Sequence, residues 1–136
     1  MSESTKQDLQ QLGFKQIHLL PEGLNFEPLN DIPQKTLQPT IVFSGRLKRA
    51  KRPDHLIKAF VSIKQKYPQA ELWLIGDGIL RKELQIKAVD GVTFFGALDN
   101  EQRRELIGNA WVLVNPSVRE GFGLNIIEAN ALGTPC

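Results

Sequence analysis

From Thr40 onward, apolar positions fall alternately into short continuous runs and helical stripes. TIVFSG (40–45) is β-branched and apolar, closes at Gly45, and reads as a buried strand. PDHLIKAFVSIKQKY follows, with Leu56, Phe60, Ile63 and Tyr67 at helical spacing and Pro53 suited to a first turn. ELWLIG (71–76) predicts a second strand, and Arg81 to Val89 a second helix with Leu84 and Ala88 inward. VTFFG (92–96) predicts a third strand, and Asn100 to Ile107 a third helix, with Asp99 as N-cap and Gln102 completing a capping box. WVLVNPS (111–117) predicts a fourth strand, and Leu124 to Leu132 a fourth helix stopped by Gly133 and Pro135. Trp73 and Trp111, both in strands, are expected in the core.

Strands this apolar, each followed by a helix, belong in a parallel sheet covered on both faces. The expected fold class is therefore α/β, with a Rossmann-like parallel sheet. Such sheets bind ligands in the loops at the carboxyl ends of their strands. Before this unit (40–136) lie two others. Residues 1–20 predict a helix from Ser4 to Leu12, with Leu9 and Leu12 on one side and Gly13 as its stop, then a strand at Ile17–Leu20. Residues 21–39, with Pro21, Pro28, Pro33 and Pro39 and no period, read as a connector.

The chain has 136 residues, enough for one ordinary domain, with 41% hydrophobic and 24% charged residues, which favours a packed core over disorder. A net charge of +2 does not suggest a general nucleic-acid or membrane binder. Cys136 is the single cysteine, so an internal disulfide framework is excluded and a reducing compartment fits. No apolar run approaches the roughly 20 residues of a membrane span, and MSESTKQDLQQ lacks the apolar segment of a signal peptide. The expected location is cytoplasmic, with room for peripheral membrane work in a longer protein. Cys136 falls where a fifth strand would begin, so a truncated domain is expected, with an open sheet edge through which self-association is conceivable.

Four strand-to-helix loops carry the candidate chemistry. SGRLKRAKRP places Arg46, Lys48, Arg49, Lys51 and Arg52 together with no acid among them, at a glycine leaving a buried strand. Such a run is commonly a solvated loop, but at this position anions bind, and Arg46 and Lys51 suit a phosphate. Gly76-Asp77-Gly78 is not the dinucleotide fingerprint, because Arg81 stands where the third glycine would fall; it reads as a tight turn or a close approach to a base or ribose. Backbone from Val92 to Phe95 is placed to read a base edge. NPSVREGFGLNIIEANALG holds Glu120 and Glu128 eight apart, with Gly121 and Gly123 just before a helix, where backbone N–H groups reach an anion. On spacing alone Glu120 also reads as a helix-start acid and Glu128 as a solvated helix residue, and a hydrolase pair is a further option that spacing does not fix. No Cys/His spacing suggests zinc, no Asp-x-Asp suggests a carboxylate-held metal, and no G-x-S-x-G appears.

SGRLKRAKRPDHLIKAF, ELWLIGDG, VTFFGAL and NPSVREGFGLNIIEANALGTPC together resemble, in order and spacing, the C-terminal domain of group 1 glycosyltransferases. These are retaining enzymes of the GT-B architecture, with two Rossmann-like domains around a cleft. The resemblance runs from about Ile17 to Cys136. REGFGLNIIEANALGTP, which matches the E-x7-E motif, is its most specific part. STKQDLQQLGF resembles the last helix before the hinge, and HLLPEGLNF the hinge strand and loop.

The resemblance implies a nucleotide-sugar donor, no metal and no cofactor, and polysaccharide or lipid glycosylation as setting. It implies that Arg46 and Lys51 bind the donor diphosphate and, with Glu120 at the transferred sugar, act in catalysis. Gly45 and Gly76 then line the site. Gly121, Phe122, Gly123 and Leu124 present backbone N–H groups, Glu128 holds the ribose hydroxyls, and backbone at Val92 and Phe94 meets the base. Arg52-Pro53 stands where the family more commonly has glycine after the lysine. The family's N-terminal domain, which would supply the acceptor site, is missing from this sequence, so the chain alone is expected to be inactive. Two competing readings remain: a non-enzymatic nucleotide- or phosphate-binding α/β module, and a nucleic-acid contact through SGRLKRAKRP.

Overall fold

A strand buried along its whole length must feed two cores, and β1 (Thr40–Ser44) does. In this computed structural model, residues 3–20, 22–118 and 120–136 are described; Met1, Ser2, Pro21 and Arg119, the first residue of the REGFG segment, lie outside them. Around β1 lie β2 (Glu71–Ile75), β3 (Val92–Gly96) and β4 (Val112–Leu113), all parallel, in the order β3-β2-β1-β4. The connecting helices are α2 (Pro53–Lys66), α3 (Arg81–Lys87) and α4 (Asn100–Asn109), with α5 (Leu124–Ala131) after β4. Helix α1 (Glu3–Gln11) stands before the sheet.

Alternation along the strands explains the two cores. Ile41 and Phe43 of β1, with Leu72 and Leu74 of β2, pack against Leu56, Ile57 and Phe60 of α2 and Leu84 of α3. Val42 and Leu113 face the other way, toward Ile107 of α4 and Ala129 of α5. Each large buried side chain contributes roughly 1.5–3 kcal/mol by leaving water. The Rossmann-like α/β class expected from the sequence is therefore the class observed. Strand order reverses between β1 and β4, and crevices open at the carboxyl ends of such neighbours.

Several expectations need correction. Among the described residues, Ile17–Leu20 is not a strand of the sheet, whose members are β1 to β4. Helix α1 buries no residue, and Leu12 is exposed. The fourth strand is reduced to Val112–Leu113, although the Trp111 N–H still bonds to the Thr40 carbonyl and the Val114 N–H to the Val42 carbonyl, both at 2.9 Å. Trp111 is exposed rather than core; its indole N–H donates to the Thr36 carbonyl at 2.7 Å. Trp73 is partly buried, edge-to-face with Phe95 at 5.7 Å, and donates to Glu71 Oε2 at 2.8 Å. Tyr67 is exposed, and Ala88 lies just past the end of α3.

The described part of the connector is irregular, as its prolines predict, yet it is docked. Lys35 Nζ donates to the Gly108 carbonyl at 2.7 Å and to Thr134 Oγ1 at 2.8 Å. The Leu29 N–H bonds to the Ala131 carbonyl and the Thr36 N–H to the Asn109 carbonyl, so the segment straps α4 to α5.

Between β1 and α2 the chain makes a 3-10 turn at Arg49–Lys51 and then passes through Arg52, with φ 47° and ψ 43°. Arg52 is the one non-glycine residue with positive φ among those described. A side chain in this left-handed region costs about 1–2 kcal/mol, partly offset because glycine has more freedom to lose on folding. Arg52→Gly is accordingly expected to stabilise the chain by about 1 kcal/mol in urea denaturation. A midpoint that is unchanged or lower would count against this backbone.

Candidate functional site

Four strand ends and the start of α5 enclose one open crevice of about 630 Å³. Ser44 and Gly45 come from the end of β1, Ile75 and Gly76 from β2, and Ala97 and Leu98 from the loop after β3. Residues 120–125 and Glu128 come from the loop after β4 and from α5; Lys51 and Arg103 reach in from either side. Loops and helix starts converge here because every strand is parallel, so all carboxyl ends lie on one edge.

The 3-10 turn decides which basic residue points inward. Lys51 Nζ donates to Glu120 Oε1 at 2.5 Å, joining loops 69 residues apart, and both side chains are about three-quarters buried. Burial works against ionisation of Glu120. Hydrogen bonds from Lys51, Ser117 and Asn115 outweigh it and hold the carboxyl below the usual glutamate range. Arg46, by contrast, is exposed and lies outside the crevice lining.

Helix α5 begins at Gly123, whose φ of 75° suits glycine, and no side chain caps it. The lining of Gly121, Phe122, Gly123 and Leu124 therefore ends on an uncapped helix start, where the helix dipole is positive. Asn125 Nδ2 donates to the Ser44 carbonyl at 3.3 Å and ties this start to β1.

One turn into α5, Glu128 meets Arg103 of α4. Nη1 donates to Oε2 at 2.5 Å and Nη2 to Oε1 at 2.8 Å, with side-chain exposures of 20% for Arg103 and 15% for Glu128. The hydrogen bonds to Glu128 raise the Arg103 pKa above its already high ordinary value.

Gly45, Lys51, Gly76, Glu120, Gly121, Phe122, Gly123, Leu124 and Glu128 are thus brought together as the sequence suggests. Arg46, Val92 and Phe94 are not among the lining. Val92 and Phe94 pack their side chains against the α2–α3 core, and Ala97 and Leu98 stand at the crevice. Gly76 bridges to Gly96 and the turn follows over Ile79 and Leu80; the Asp77 carboxylate accepts from the Gly78 N–H at 2.7 Å and from Arg81 at 2.8 Å, and both hold its pKa down. Asp99 caps α4, accepting from the Gln102 N–H at 2.9 Å.

With this crevice described, similarity to known proteins becomes specific. Residues 28–136 match the family Glycosyl transferases group 1. The chain belongs to that family. It is 33% identical over 99 residues to a phosphatidyl-myo-inositol mannosyltransferase of Propionibacterium freudenreichii, covering 71% of this chain and 24% of the relative. It is 33% identical over 118 residues to a D-inositol 3-phosphate glycosyltransferase of Streptomyces avermitilis, covering 76% of this chain and 25% of the relative. The chain thus spans about a quarter of the length of these curated relatives. Among solved structures, a variant of S. aureus TarM in complex with fondaparinux, alpha-GlcNAc-glycerol and UDP superposes with a TM-score of 0.78 at 21% identity. That match covers 99% of this chain and 28% of TarM, and at that identity it establishes the fold.

Within this group 1 glycosyl transferase chain, Asn125 and Arg103 are among the lining residues that a reading of motifs misses, with Glu22, Ser44, Ile75, Ala97 and Leu98. Asn125 lies inside the E-x7-E segment but bonds back to β1. Arg103 lies in a polar stretch of α4; its only sequence signal is its place one turn after the Asp99 cap, near the carboxyl edge of the sheet. Among the described residues, no helix is long and apolar enough to cross a membrane.

Proposed function

We propose that this chain is the donor-binding part of an enzyme that moves a sugar from a nucleoside-diphosphate sugar to an acceptor hydroxyl, with retention. The observation that carries this reading is the convergence of Lys51, Glu120, the uncapped start of α5 and Glu128 in one crevice at the strand-order reversal. The two curated relatives are named as a mannosyltransferase and a glycosyltransferase, which supports the reaction class. Fold neighbours solved with UDP, TarM and the pneumococcal transferase GtfA, support a nucleoside diphosphate as the leaving group.

Breaking the sugar–phosphate bond leaves negative charge on the diphosphate, and fixed positive groups aimed at it lower the barrier. Lys51 and the α5 start supply such groups without a metal, with Arg46 joining from the exposed loop if that loop folds over the donor. Glu120 sits where it can hold the transferred sugar, whose ring gains positive character. Glu128 accepts the ribose hydroxyls. Because the chain spans about a quarter of its relatives, it is expected to bind nucleotide and, by itself, to transfer no sugar.

Calorimetric titration of the 136-residue chain with UDP, GDP, ADP and inorganic phosphate tests this reading. One nucleoside diphosphate is expected to bind, and Glu128→Ala to weaken it about tenfold or more, the effect of losing a charged hydrogen bond. A folded chain that binds none of the four would sink the proposal.

A further inference from the structure

Glu128 is held by its neighbour rather than left to solvent. Arg103 and Glu128 form the least exposed ion pair of the described residues, and both side chains face the crevice. The guanidinium engages both carboxylate oxygens at once, one nitrogen to each. Such a two-point grip fixes a plane, whereas a single contact leaves rotation about the last torsion. An ionised carboxylate has about four acceptor sites, and the fork occupies two, so one remains on each oxygen. A pair of vicinal hydroxyls can donate to those two positions together only if the carboxylate plane is set in advance.

Resting on the donor-binding reading above, we infer that Arg103 is a positioning residue that presets Glu128 for a cis-diol, and thereby sets the preference for ribose over deoxyribose. Arg103 need not touch the nucleotide. It acts through Glu128 from a different helix, α4, which the Asp99 cap anchors at its start and the connector holds at its end. Without the fork, Glu128 loses the two bonds that set its plane, and its carboxylate turns about its last torsion. A rotated carboxylate no longer accepts from two vicinal hydroxyls together.

Arg103→Leu and Arg103→Lys variants of the chain, titrated with UDP, GDP, ADP and their 2′-deoxy counterparts, separate this from a merely structural tie. The parent is expected to prefer the ribonucleotide by about tenfold or more, since the deoxy compound leaves one acceptor unmatched. In Arg103→Leu that ratio is expected to fall to within about threefold of one. Arg103→Lys keeps the charge but lacks the fork, so it is expected to recover folding stability without recovering the ratio. If either variant is folded and keeps the parental ratio, the inference is overturned, even if affinity for both nucleotides falls equally. If the parent itself binds no nucleotide, it is the donor-binding reading that fails, and the two failures are thereby told apart.

Discussion

A Gly76→Ala chain is expected to melt roughly 10 °C below the parent. Gly76 ends β2 with φ 127°, a region that side chains rarely adopt, and its N–H bonds to the Gly96 carbonyl at 2.7 Å. A β-carbon there would overlap the Gly45 carbonyl oxygen, which is backbone at the end of β1 and has no torsion with which to retreat. Left-handed strain costs about 1–2 kcal/mol, and overpacking a tight contact about 1–3 kcal/mol. The sum is about 3 kcal/mol, and for a domain of this size each kcal/mol shifts melting by about 4 °C. Because Gly45 and Gly76 both line the crevice, ligand affinity should fall with stability. Gly121→Ala is the matched control: a β-carbon there meets nothing within 4 Å, so its melting point is expected within about 2 °C of the parent. Equal melting of Gly76→Ala and the parent would show that the ends of β1 and β2 do not approach as described.

The crossing of strand ends is also where sequence and structure agree best. TIVFSG, ELWLIG and VTFFG are legible as strands because a parallel strand covered on both faces must be apolar throughout, and each ends on a glycine. Sheet edges are less legible. Nothing in Trp111 shows that it would lie open beside the connector, since its surroundings come from Thr36, 75 residues away. Ile17–Leu20 looks like a strand locally, but strand formation depends on a partner that sequence does not show. The basic loop is the clearest case of chemistry without direction. Arg46 and Lys51 are equivalent candidates by residue type, yet the 3-10 turn and the left-handed Arg52 send Lys51 to Glu120 and leave Arg46 exposed. Arg103 and Glu128 are 25 residues apart, and only the packing of α4 on α5 brings them together.

Lys51 is expected to be the costliest single side chain to remove for diphosphate binding: Lys51→Met should weaken the bound nucleoside diphosphate about 10–100-fold, the range for a charged hydrogen bond of roughly 1.5–3 kcal/mol. The parent nucleoside, which lacks phosphate, should bind both chains alike. The Lys51 ammonium is already paired with the Glu120 carboxylate. An arriving diphosphate must draw it away or share it, so part of the phosphate attraction is offset by the pair it disturbs. Glu120→Gln removes that competitor, and affinity for the diphosphate should therefore rise severalfold, although a sugar-bearing donor would lose its partner at Glu120. The same pair sets a pH signature. The folded-state pKa of Glu120 lies below its unfolded value of about 4.3, so its stabilisation is fully present above that value. It is lost as pH falls through the lower, folded-state pKa. The melting-point gap between the parent and Glu120→Gln is thus expected to stay flat from pH 8 to about 5 and to close below about pH 4. A gap that instead widens on acidification, together with unchanged diphosphate affinity in Lys51→Met, would mean that the two side chains do not share the charge of this site.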